Sequence, residues 1–586
     1  MLATGAIPKG ASAQVLDTLP VERERGITVK AQTASLFYTD PKGRPWLLNL
    51  IDTPGHVDFH YEVRRSLGAC EGALLLVDAG EGVAAQTIAN FWLAFELELP
   101  LLPVINKTGS HLFSPHSSVT SIISIPDRKD ADPASVEAQL ESQFDFQPSE
   151  CLRVSAKEGQ GVAALLEAVV ERLPGPRVSS AHQPLRGLIF DSWYDPFKGC
   201  IARVCVKDGS LAPGDVVRTA HAGRQYTVQE VGILTPALQP VTRLTPGQVG
   251  YVIANIKTPG EVMLGDTLLA AADSSSKPLA GFQPVQPTVF AGLFPLETAH
   301  FESLKSAVEK LRLNDPSVSL ERDSCPALGQ GWRVGFLGHL HMEVYAQRLE
   351  QEYEAKIILT APSVPYKARL RDVPDVRRKY GGEAEILIKD PSMFPETSDV
   401  ICFLEPTVLG TIVCPMVAVG EMEALCRRRR GSQMDFKPMH GDQACIRYHL
   451  PLAEIVVDFF DELQRLSSGY ASFDYEDAGL VESDLVCLRV RLNRHEVSEF
   501  ARVVPRALAK QKGAELYVEV TADGGCVAAG KIKGLKKDFT KKLKDNFGDL
   551  PSLAKLVPHQ KKGKARMKLT SQVRVPKSAF VNILRK

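Results

Sequence analysis

Residues 49–59 read Asn-Leu-Ile-Asp-Thr-Pro-Gly-His-Val-Asp-Phe. The apolar run at 46–51 predicts a buried strand that ends at Asp52, before a Thr-Pro-Gly turn. An Asp at this point can hold a phosphate-bound Mg²⁺ through water. Gly55 lets a backbone N–H approach a terminal phosphate because no Cβ stands in the way. His56 would then be placed to orient an attacking water. The pattern predicts a nucleotide switch; the alternative is an ordinary strand followed by a Pro-Gly turn.

A second polar loop precedes this stretch. Residues 21–30 read Val-Glu-Arg-Glu-Arg-Gly-Ile-Thr-Val-Lys and lead into a predicted strand. The hydroxyl of Thr28 is a suitable ligand for Mg²⁺, and its backbone could contact a terminal phosphate. Because the loop lies about 24 residues before Asp52, the two patterns together indicate one phosphate and metal site.

The next segments alternate between strand and helix patterns. Residues 72–78 and 101–105 are apolar runs of strand length, a helix pattern covers 86–97, and residues 151–157 predict a strand and turn. Polar motifs follow the strands, as is typical of a doubly wound α/β sheet with its ligand at the carboxyl edge. The sequence therefore predicts such a sheet for the N-terminal part of the chain.

Two of these motifs form a pair suited to guanine. The side chain of Asn106 and the backbone N–H groups at Ser155 and Ala156 could bond the base edge, while the stem of Lys107 covers the ring. The sequence at these positions is Asn-Lys and, later, Ser-Ala-Lys. Together with the two earlier motifs, they indicate a guanine nucleotide site.

Composition limits the class of protein. Of the 586 residues, 44% are hydrophobic and 24% are charged, as in soluble globular proteins. No apolar run approaches the roughly 20 residues of a membrane-spanning helix. The 11 cysteines include no Cys-x-x-Cys pair, so we expect reduced, intracellular thiols rather than disulfides or a metal site.

The charge is unevenly distributed although the net charge is zero. Residues 531–586 contain 17 Lys or Arg against 3 Asp or Glu, a balance of +14, so the other 530 residues carry −14. A basic tail with interleaved aromatic residues indicates a polyanionic partner, most simply nucleic acid. The alternative is a solvated helix surface.

The ordered motifs resemble the LepA (elongation factor 4) family of translational GTPases, and most of all its mitochondrial branch. The resemblance is carried by Gln-Val-Leu-Asp at 14–17, the run from 22 to 33, and residues 52–59. It implies GTP and Mg²⁺ as cofactors, with His56 catalytic and Thr28 and Asp52 as metal ligands. The GTP-binding residues that it implies are Asp52, Thr53, Pro54, Gly55, His56, Asn106, Lys107, Ser155, Ala156 and Lys157.

The sequence departs from the family pattern in two places. The family carries a Gly-x-x-x-x-Gly-Lys-Ser/Thr phosphate loop upstream of the position of Gln14, and this sequence contains no such motif. The family also has Asn-Lys-x-Asp where position 109 here is Gly. A serine-rich segment at 108–126 follows, and Asp127 is a candidate for the displaced base-reading carboxylate.

The resemblance also implies the domain order. We expect a truncated phosphate-loop GTPase α/β domain at 1–178 without its first strand, and a β-barrel at 184–272. Two ferredoxin-like α+β domains should follow, a split βαβ unit at 282–365 and an elongation-factor-G-like unit at 400–478. A basic family-specific domain at 479–586 completes the chain. The predicted RNA contacts are Arg427, Arg428, Arg429, Arg430, Lys536, Lys537, Lys541, Lys542, Lys561 and Lys562.

The predicted function is a ribosome-dependent GTPase that promotes accurate organellar protein synthesis, by moving tRNAs backward on stalled or mistranslocated ribosomes. One alternative is a ribosome-binding module without hydrolysis; another is a GTPase of the elongation factor G type. The predicted partners are ribosomal RNA and tRNA, for a monomer that associates peripherally with the inner membrane or not at all. The mitochondrial matrix is the expected location, with plastid or bacterial cytoplasm as alternatives.

Overall fold

The described part of the chain includes most of its first 528 residues. The computed structural model describes residues 1–7, 15–108, 131–176, 183–195, 197–221, 223–235, 237–256, 263–273, 276–279, 287–325, 328–360, 362–439, 442–456, 458–492, 495–515, 519–522 and 525–528. These residues form five units, each built on its own sheet or sheets. The predicted Lys contacts in the basic tail and Asp127 lie outside the described residues, as does all of the serine-rich segment after Thr108.

The first unit contains two separate sheets. Its elements are α1 (Pro20–Arg25), β1 (Gln32–Thr39), β2 (Pro45–Asp52), α2 (His60–Gly68), β3 (Ala73–Asp78), α3 (Ala85–Glu96), β4 (Leu101–Asn106), α4 (Pro133–Phe144), β5 (Leu152–Arg153) and α5 (Val162–Arg172). Strands β1 and β2 pair antiparallel, whereas β3, β4 and β5 form a parallel sheet.

The separation of these sheets corrects one expectation. Strand β2 was predicted to be buried, but it is half-buried along nearly all of its length. Among the described residues it pairs only with β1, so its second edge has no strand beside it. In the parallel sheet, Asp78 at the end of β3 is the register partner of Asn106 at the end of β4. The predicted polar edge is therefore present at these two strands.

The second unit is an antiparallel sheet of eight strands. They are β6 (Arg186–Asp195), β7 (Gly199–Asp208), β8 (Val216–Thr219), β9 (Gln225–Thr227), β10 (Glu230–Thr235), β11 (Ala237–Val241), β12 (Val249–Ile256) and β13 (Thr267–Ala270). Their order is β11-β10-β12-β7-β6-β13-β8-β9. Valine, leucine and isoleucine side chains from most of these strands form one buried cluster.

The third unit has the split βαβ arrangement. Its elements are β14 (Val289–Pro295), α6 (Phe301–Asn314), β15 (Ser319–Cys325), β16 (Gly329–Phe336), α7 (His339–Tyr353) and β17 (Ile357–Leu359). The strand order is β15-β16-β14-β17, and every pairing in it is antiparallel. Apolar residues of both helices pack on β14 and β16.

The fourth unit is organised by one long strand. Its elements are β18 (Tyr366–Leu370), α8 (Pro374–Lys379), β19 (Glu385–Ile388), β20 (Val400–Pro415), α9 (Val419–Arg428), β21 (Ser432–Met439), β22 (Gln443–Pro451), α10 (Leu452–Ile455), α11 (Phe459–Leu466) and β23 (Ser472–Ser483). Strand β20 pairs with β18, β22 and β23. This sheet starts before position 400 and ends after 478; the predicted domain limits stay predictions.

A fifth unit follows directly. Its described elements are β24 (Leu485–Leu492), β25 (His495–Pro505), α12 (Ala509–Glu515), β26 (Glu519–Ala522) and β27 (Gly525–Ala528), in the order β25-β24-β26-β27. The mixed α/β and β architecture confirms the predicted fold class. No helix among the described residues is both long and apolar enough to cross a membrane.

The first and fourth units share a core. Leu75, Phe91 and Leu140 of the first unit belong to the same buried cluster as Val413 and Cys445 of the fourth. At the edge of this cluster, the Ala85 N–H at the start of α3 donates to Ser472 Oγ at 2.9 Å. The first unit is therefore packed directly against the sheet of the fourth.

Candidate nucleotide site

The loop after β2 turns sharply into a short 3-10 turn. Pro54 is buried and Gly55 is exposed, with open space around the position that a Cβ would take. His56 is the N-cap of the 3-10 turn Val57–Phe59, and its Nδ1 accepts the Asp58 N–H at 3.1 Å. Its side chain is 26% exposed, so the ring remains accessible to solvent. The sequence Thr-Pro-Gly-His thus forms a turn directly after the strand, with Gly55 exposed to solvent and His56 partly so.

Carboxylates accumulate where the predicted metal site lies. Burial raises the pKa of Asp52, and the nearby carboxylates of Asp17 and Glu22 raise it further. The Thr28 hydroxyl donates to Asp17 Oδ1 at 3.2 Å. Carboxylate and hydroxyl oxygens are the ligand type that Mg²⁺ prefers, but no group of three or more His, Cys, Asp or Glu side chains arranged to hold a metal occurs among the described residues. Thr28 and Asp52 were predicted from their motifs, whereas Asp17 is evident only from its contact with Thr28.

Glu22 gives the loop at 21–30 its shape. The residue is fully buried, and its Oε1 accepts the N–H groups of Val29 and Lys30, both at 3.0 Å. Its Oε2 accepts the Leu19 N–H at 2.9 Å, which caps helix α1. A buried carboxylate that accepts three backbone N–H groups fixes the path of the chain toward Thr28.

The structure brings together the two motifs that were predicted to bind the guanine base. Asn106 Oδ1 accepts the Ala156 N–H at 3.1 Å, so the side chain at the end of β4 holds the Ser-Ala turn. Ser155 is fully buried; its N–H donates to the Gln160 carbonyl at 3.0 Å, and its Oγ accepts the Glu158 N–H at 3.2 Å. These bonds hold the turn in one conformation. Lys157 is exposed beside it.

Lys107 has a partner that sequence reasoning missed. Its backbone is left-handed, with φ of 62°, and its Nζ lies 2.5 Å from Asp78 Oδ2. The other oxygen of Asp78 accepts the Gly80 N–H at 2.8 Å. The ion pair positions the lysine stem at the edge of the parallel sheet. The signal was available, because Asp78 and Lys107 both follow neighbouring strands.

A buried charge cluster anchors the helix after His56 to the second unit. Arg203 pairs with Asp191 at 3.2 Å and donates to the Ala31 carbonyl at 2.8 Å. Arg65 of helix α2 lies 3.9 Å from the same aspartate, and Lys30 lies 3.7 Å from it. Lys30 of the first loop and Arg65 of the helix after His56 therefore both lie beside one aspartate of the second unit.

The four arginines near the end of α9 are not equivalent. The side chains of Arg427 and Arg428 are 69% and 61% exposed, whereas those of Arg429 and Arg430 are about one quarter exposed. Arg430 donates to both oxygens of the buried Glu405 and also to Glu454. Because its guanidinium is already bonded within the protein, Arg430 is less available to RNA than Arg427 and Arg428. Arg429 pairs with Glu462.

Comparisons with known proteins agree with this architecture. The elongation factor Tu GTP-binding domain matches residues 1–175, the elongation factor G C-terminus matches 402–490, and the LepA C-terminus matches 493–585. This combination of domains defines a translational GTPase.

Relatives that match almost the whole chain identify the family within the translational GTPases. The chain is 47% identical to the mitochondrial translation factor GUF1 homolog of Caenorhabditis elegans, over 99% of this chain and 90% of the relative. It is 46% identical to mitochondrial translation factor GUF1 of Homo sapiens, over 99% of this chain and 86% of the relative. The chain belongs to the LepA family of translational GTPases, as the sequence motifs predicted.

A solved structure supports the fold. The protein ttk003000868 of Thermus thermophilus matches with a TM-score of 0.56 and 19% sequence identity, over 88% of this chain and 95% of that one. At this identity, the likeness bears on the arrangement of elements alone. The match over the LepA C-terminus favours this family over the elongation factor G alternative.

Proposed function

We propose that this chain is a ribosome-dependent GTPase that acts in mitochondrial protein synthesis. The observation that carries the proposal is the turn from Thr53 to His56, which begins directly after Asp52. The imidazole Nδ1 accepts a backbone N–H, so the neutral ring carries its proton on Nε2. Relatives that span almost the same length are named as mitochondrial translation factors.

In this proposal His56 orients water rather than removing its proton. A ring whose Nδ1 is occupied as an acceptor offers an Nε2–H donor, which can bond the oxygen of a water molecule. Such sites are slow until a partner completes them, and a partner is typically worth about 10³–10⁵ in rate. The ribosome would be that partner, and its contact would complete the placement of His56.

Asp52 and Thr28 would hold Mg²⁺, with Asp17 beside them. The contact between the Thr28 hydroxyl and Asp17 Oδ1 supports this assignment, because it places a carboxylate beside the hydroxyl that would bind the cation. Bound Mg²⁺ would neutralise charge on the phosphate oxygens of GTP. At the other end of the site, Asn106 and the Ser155–Ala156 turn would bond the guanine edge, and Lys107 would cover the ring.

The finer proposal is that the cycle drives tRNAs backward on stalled or mistranslocated ribosomes. The balance of +14 at residues 531–586 supports contact with tRNA or ribosomal RNA. Arg427 and Arg428 add exposed positive charge in the fourth unit. The monomeric state and peripheral association with the inner membrane stay predictions.

The second candidate function is a ribosome-binding module without hydrolysis. The 586 residues contain no Gly-x-x-x-x-Gly-Lys-Ser/Thr motif, so nucleotide binding by this chain has to be measured. In translational GTPases that loop supplies backbone N–H groups and a lysine to the phosphates. The ribosome-binding surfaces do not depend on it.

One experiment separates the two. GTP binding and ribosome-stimulated hydrolysis are measured on this chain and on His56→Ala, with the exposed His300→Ala of the third unit as control. The proposed function predicts hydrolysis that falls at least about tenfold in His56→Ala and is unchanged in the control. Ribosome binding that is weakened by salt, without nucleotide binding, would establish the binding module instead.

A further inference from the structure

Helix α7 begins without a capping side chain of its own. Its N-cap is Gly338, whose backbone is extended at φ of −174° and ψ of −174°. The first N–H groups of a helix have no partner within the helix, and an N-cap Ser, Thr, Asp or Asn usually accepts one of them. Glycine has no atom that could do so.

Asp58 of the first unit supplies the missing acceptor. Its Oδ2 accepts the N–H of His341, the third residue of α7, at 3.1 Å, although the two are 283 positions apart. The carboxylate is 4% exposed, and the Tyr475 hydroxyl of β23 approaches Oδ1 at 3.5 Å. Asp58 therefore joins three units at one buried point.

Gly338 is required here for space. A Cβ at this position would overlap the carboxylate of Asp58. The extended backbone of Gly338 is open to any residue, so conformation does not explain the glycine. The absence of a side chain lets the carboxylate from the first unit reach the start of the helix.

His341, which donates this hydrogen bond, is itself held in place by further contacts. His341 is 2% exposed, its Nδ1 accepts the Leu337 N–H at 3.2 Å, and its Nε2 lies 2.9 Å from Asp315 Oδ2. Burial alone would raise the pKa of Asp315, but His341 and its other partners hold that pKa well below the usual range. The start of α7 is thus a fixed point for the loop that docks on it.

Helix α7 also contacts the other loop of the candidate site, at residues 21–30. Arg25 donates to Glu343 at 2.9 Å and to Gln347 at 2.8 Å, and Gln347 donates to Glu24 at 2.6 Å. Val21, Val29 and Phe59 share a buried cluster with Val344 of α7. Both loops therefore contact the same helix.

We propose that Asp58 is a positioning residue that holds His56 in place by capping helix α7 of the third unit. The link is short, because the Asp58 N–H donates to His56 Nδ1 and its carboxylate accepts from the helix. Movement of the third unit relative to the first would reach the imidazole through Asp58, beside the apolar contact between Phe59 and Val344. The catalytic consequence rests on the proposed GTPase function; the positional one does not.

Two variants test the contact from its two sides. Asp58→Ala removes the acceptor, and Gly338→Ala displaces the carboxylate without changing charge. The matched control is Gly420→Ala, an exposed glycine in the first turn of α9 whose added Cβ would meet nothing. Hydrogen exchange is measured on peptides that cover 54–60 and 337–345.

Both variants should exchange at least about tenfold faster than the unchanged chain in these two peptides, with Gly420→Ala unchanged. The double variant Asp58→Ala/Gly338→Ala should exchange no faster than Asp58→Ala alone, because without the carboxylate the added Cβ of residue 338 has nothing to overlap. Unchanged exchange at 54–60 in both single variants would overturn the proposal, and so would additive effects in the double variant.

Hydrolysis supplies the second readout. Asp58→Ala and Gly338→Ala should lower kcat of ribosome-stimulated hydrolysis about tenfold or more, with KM for GTP within about twofold. An equal loss in kcat and nucleotide binding would indicate general misfolding and would overturn the positioning role. If the unchanged chain does not hydrolyse GTP, the proposed function fails, while the exchange experiment still decides whether Asp58 positions the loop.

Discussion

The guanidinium of Arg430 donates to both carboxylate oxygens of Glu405, at 2.7 and 3.0 Å, and also to Glu454 at 2.9 Å. Glu405 lies on β20 and is 3% exposed, so its charge is removed from water. A run of four arginines thus contains one residue that stabilises the fourth unit and two that face solvent.

This difference predicts opposite phenotypes for neighbouring residues. Arg430→Ala leaves Glu405 buried and unpaired. The free energy of unfolding should therefore fall by an amount near the lower end of the range of roughly 3–5 kcal/mol that is typical of such a loss. Arg427→Ala should change it by less than about 0.5 kcal/mol but weaken ribosome binding. Urea unfolding and ribosome sedimentation measure the two quantities. Equal unfolding free energies for both variants would contradict the assignment.

Asn106 should control nucleotide identity. Asn106→Ala removes the acceptor that holds the Ala156 N–H, so the Ser-Ala turn loses its fixed position. We expect GTP binding to weaken about tenfold or more, a loss equivalent to one or two hydrogen bonds. The control is Asn49→Ala, whose side chain bonds Ser35 within the β1–β2 hairpin. Binding is measured by fluorescence with GTP and ATP analogues; equal loss in both variants would contradict the role.

Asp474 and His60 should give stability opposite dependences on pH. Burial raises the pKa of Asp474 to about 7, and burial lowers the pKa of His60 to about 4. Asp474 binds a proton more readily in the folded state, so its contribution falls as the pH rises from about 4 to about 7. His60 binds a proton more readily in the unfolded state, so its contribution rises from about pH 4 to about 6.5.

The two side chains lie 4.0 Å apart, so each is replaced singly and the two slopes are compared. Relative to the unchanged chain, Asp474→Asn should gain stability with rising pH across about pH 5 to 7, and His60→Gln should lose it across about pH 5 to 6.5. Urea unfolding at several pH values measures both slopes. Curves that run parallel to that of the unchanged chain over this interval would show that neither group titrates differently on folding.

The basic tail should set the salt dependence of ribosome binding. Replacing Lys536, Lys537, Lys541 and Lys542 by Ala lowers the charge of residues 531–586 from +14 to +10. The slope of log K against log salt should become shallower by about 0.7–0.9 for each lysine that neutralises a phosphate in the unchanged chain. The control replaces four exposed lysines elsewhere, Lys42, Lys310, Lys356 and Lys437. An equal change in slope for both quartets would indicate that the charge acts without regard to position.

Local motifs made part of the site predictable from sequence. Asn106 and Ala156 could be paired because each lies at or just beyond the end of a strand, and parallel strands bring such positions to one edge. The hydrogen-bond partner of Thr28 could not be predicted, because Asp17 belongs to a segment with no regular period. The pairing of Arg430 was hidden for a similar reason: nothing in four adjacent arginines tells which one meets a buried carboxylate 25 positions away.

The contact between Asp58 and helix α7 could not have been predicted from the sequence at all. Its partner N–H lies 283 positions along the chain and belongs to the backbone, so no residue type marks it. The only trace in the sequence is Gly338, and a glycine before a helix has many explanations. The half-buried β2 was misjudged because an apolar run does not reveal how many strands lie beside it.

Strand β20 also has a consequence for the order in which the chain can fold. Its residues 403–413 pair with 472–483, while its first residues pair with 367–370. During synthesis, β18, β19 and the start of β20 are available as a local three-stranded antiparallel sheet with β18 in the centre, long before β23 exists. The central strand must therefore wait with one edge uncovered until about 70 further residues have been made. That interval, rather than the finished protein, is when this unit is most exposed to aggregation.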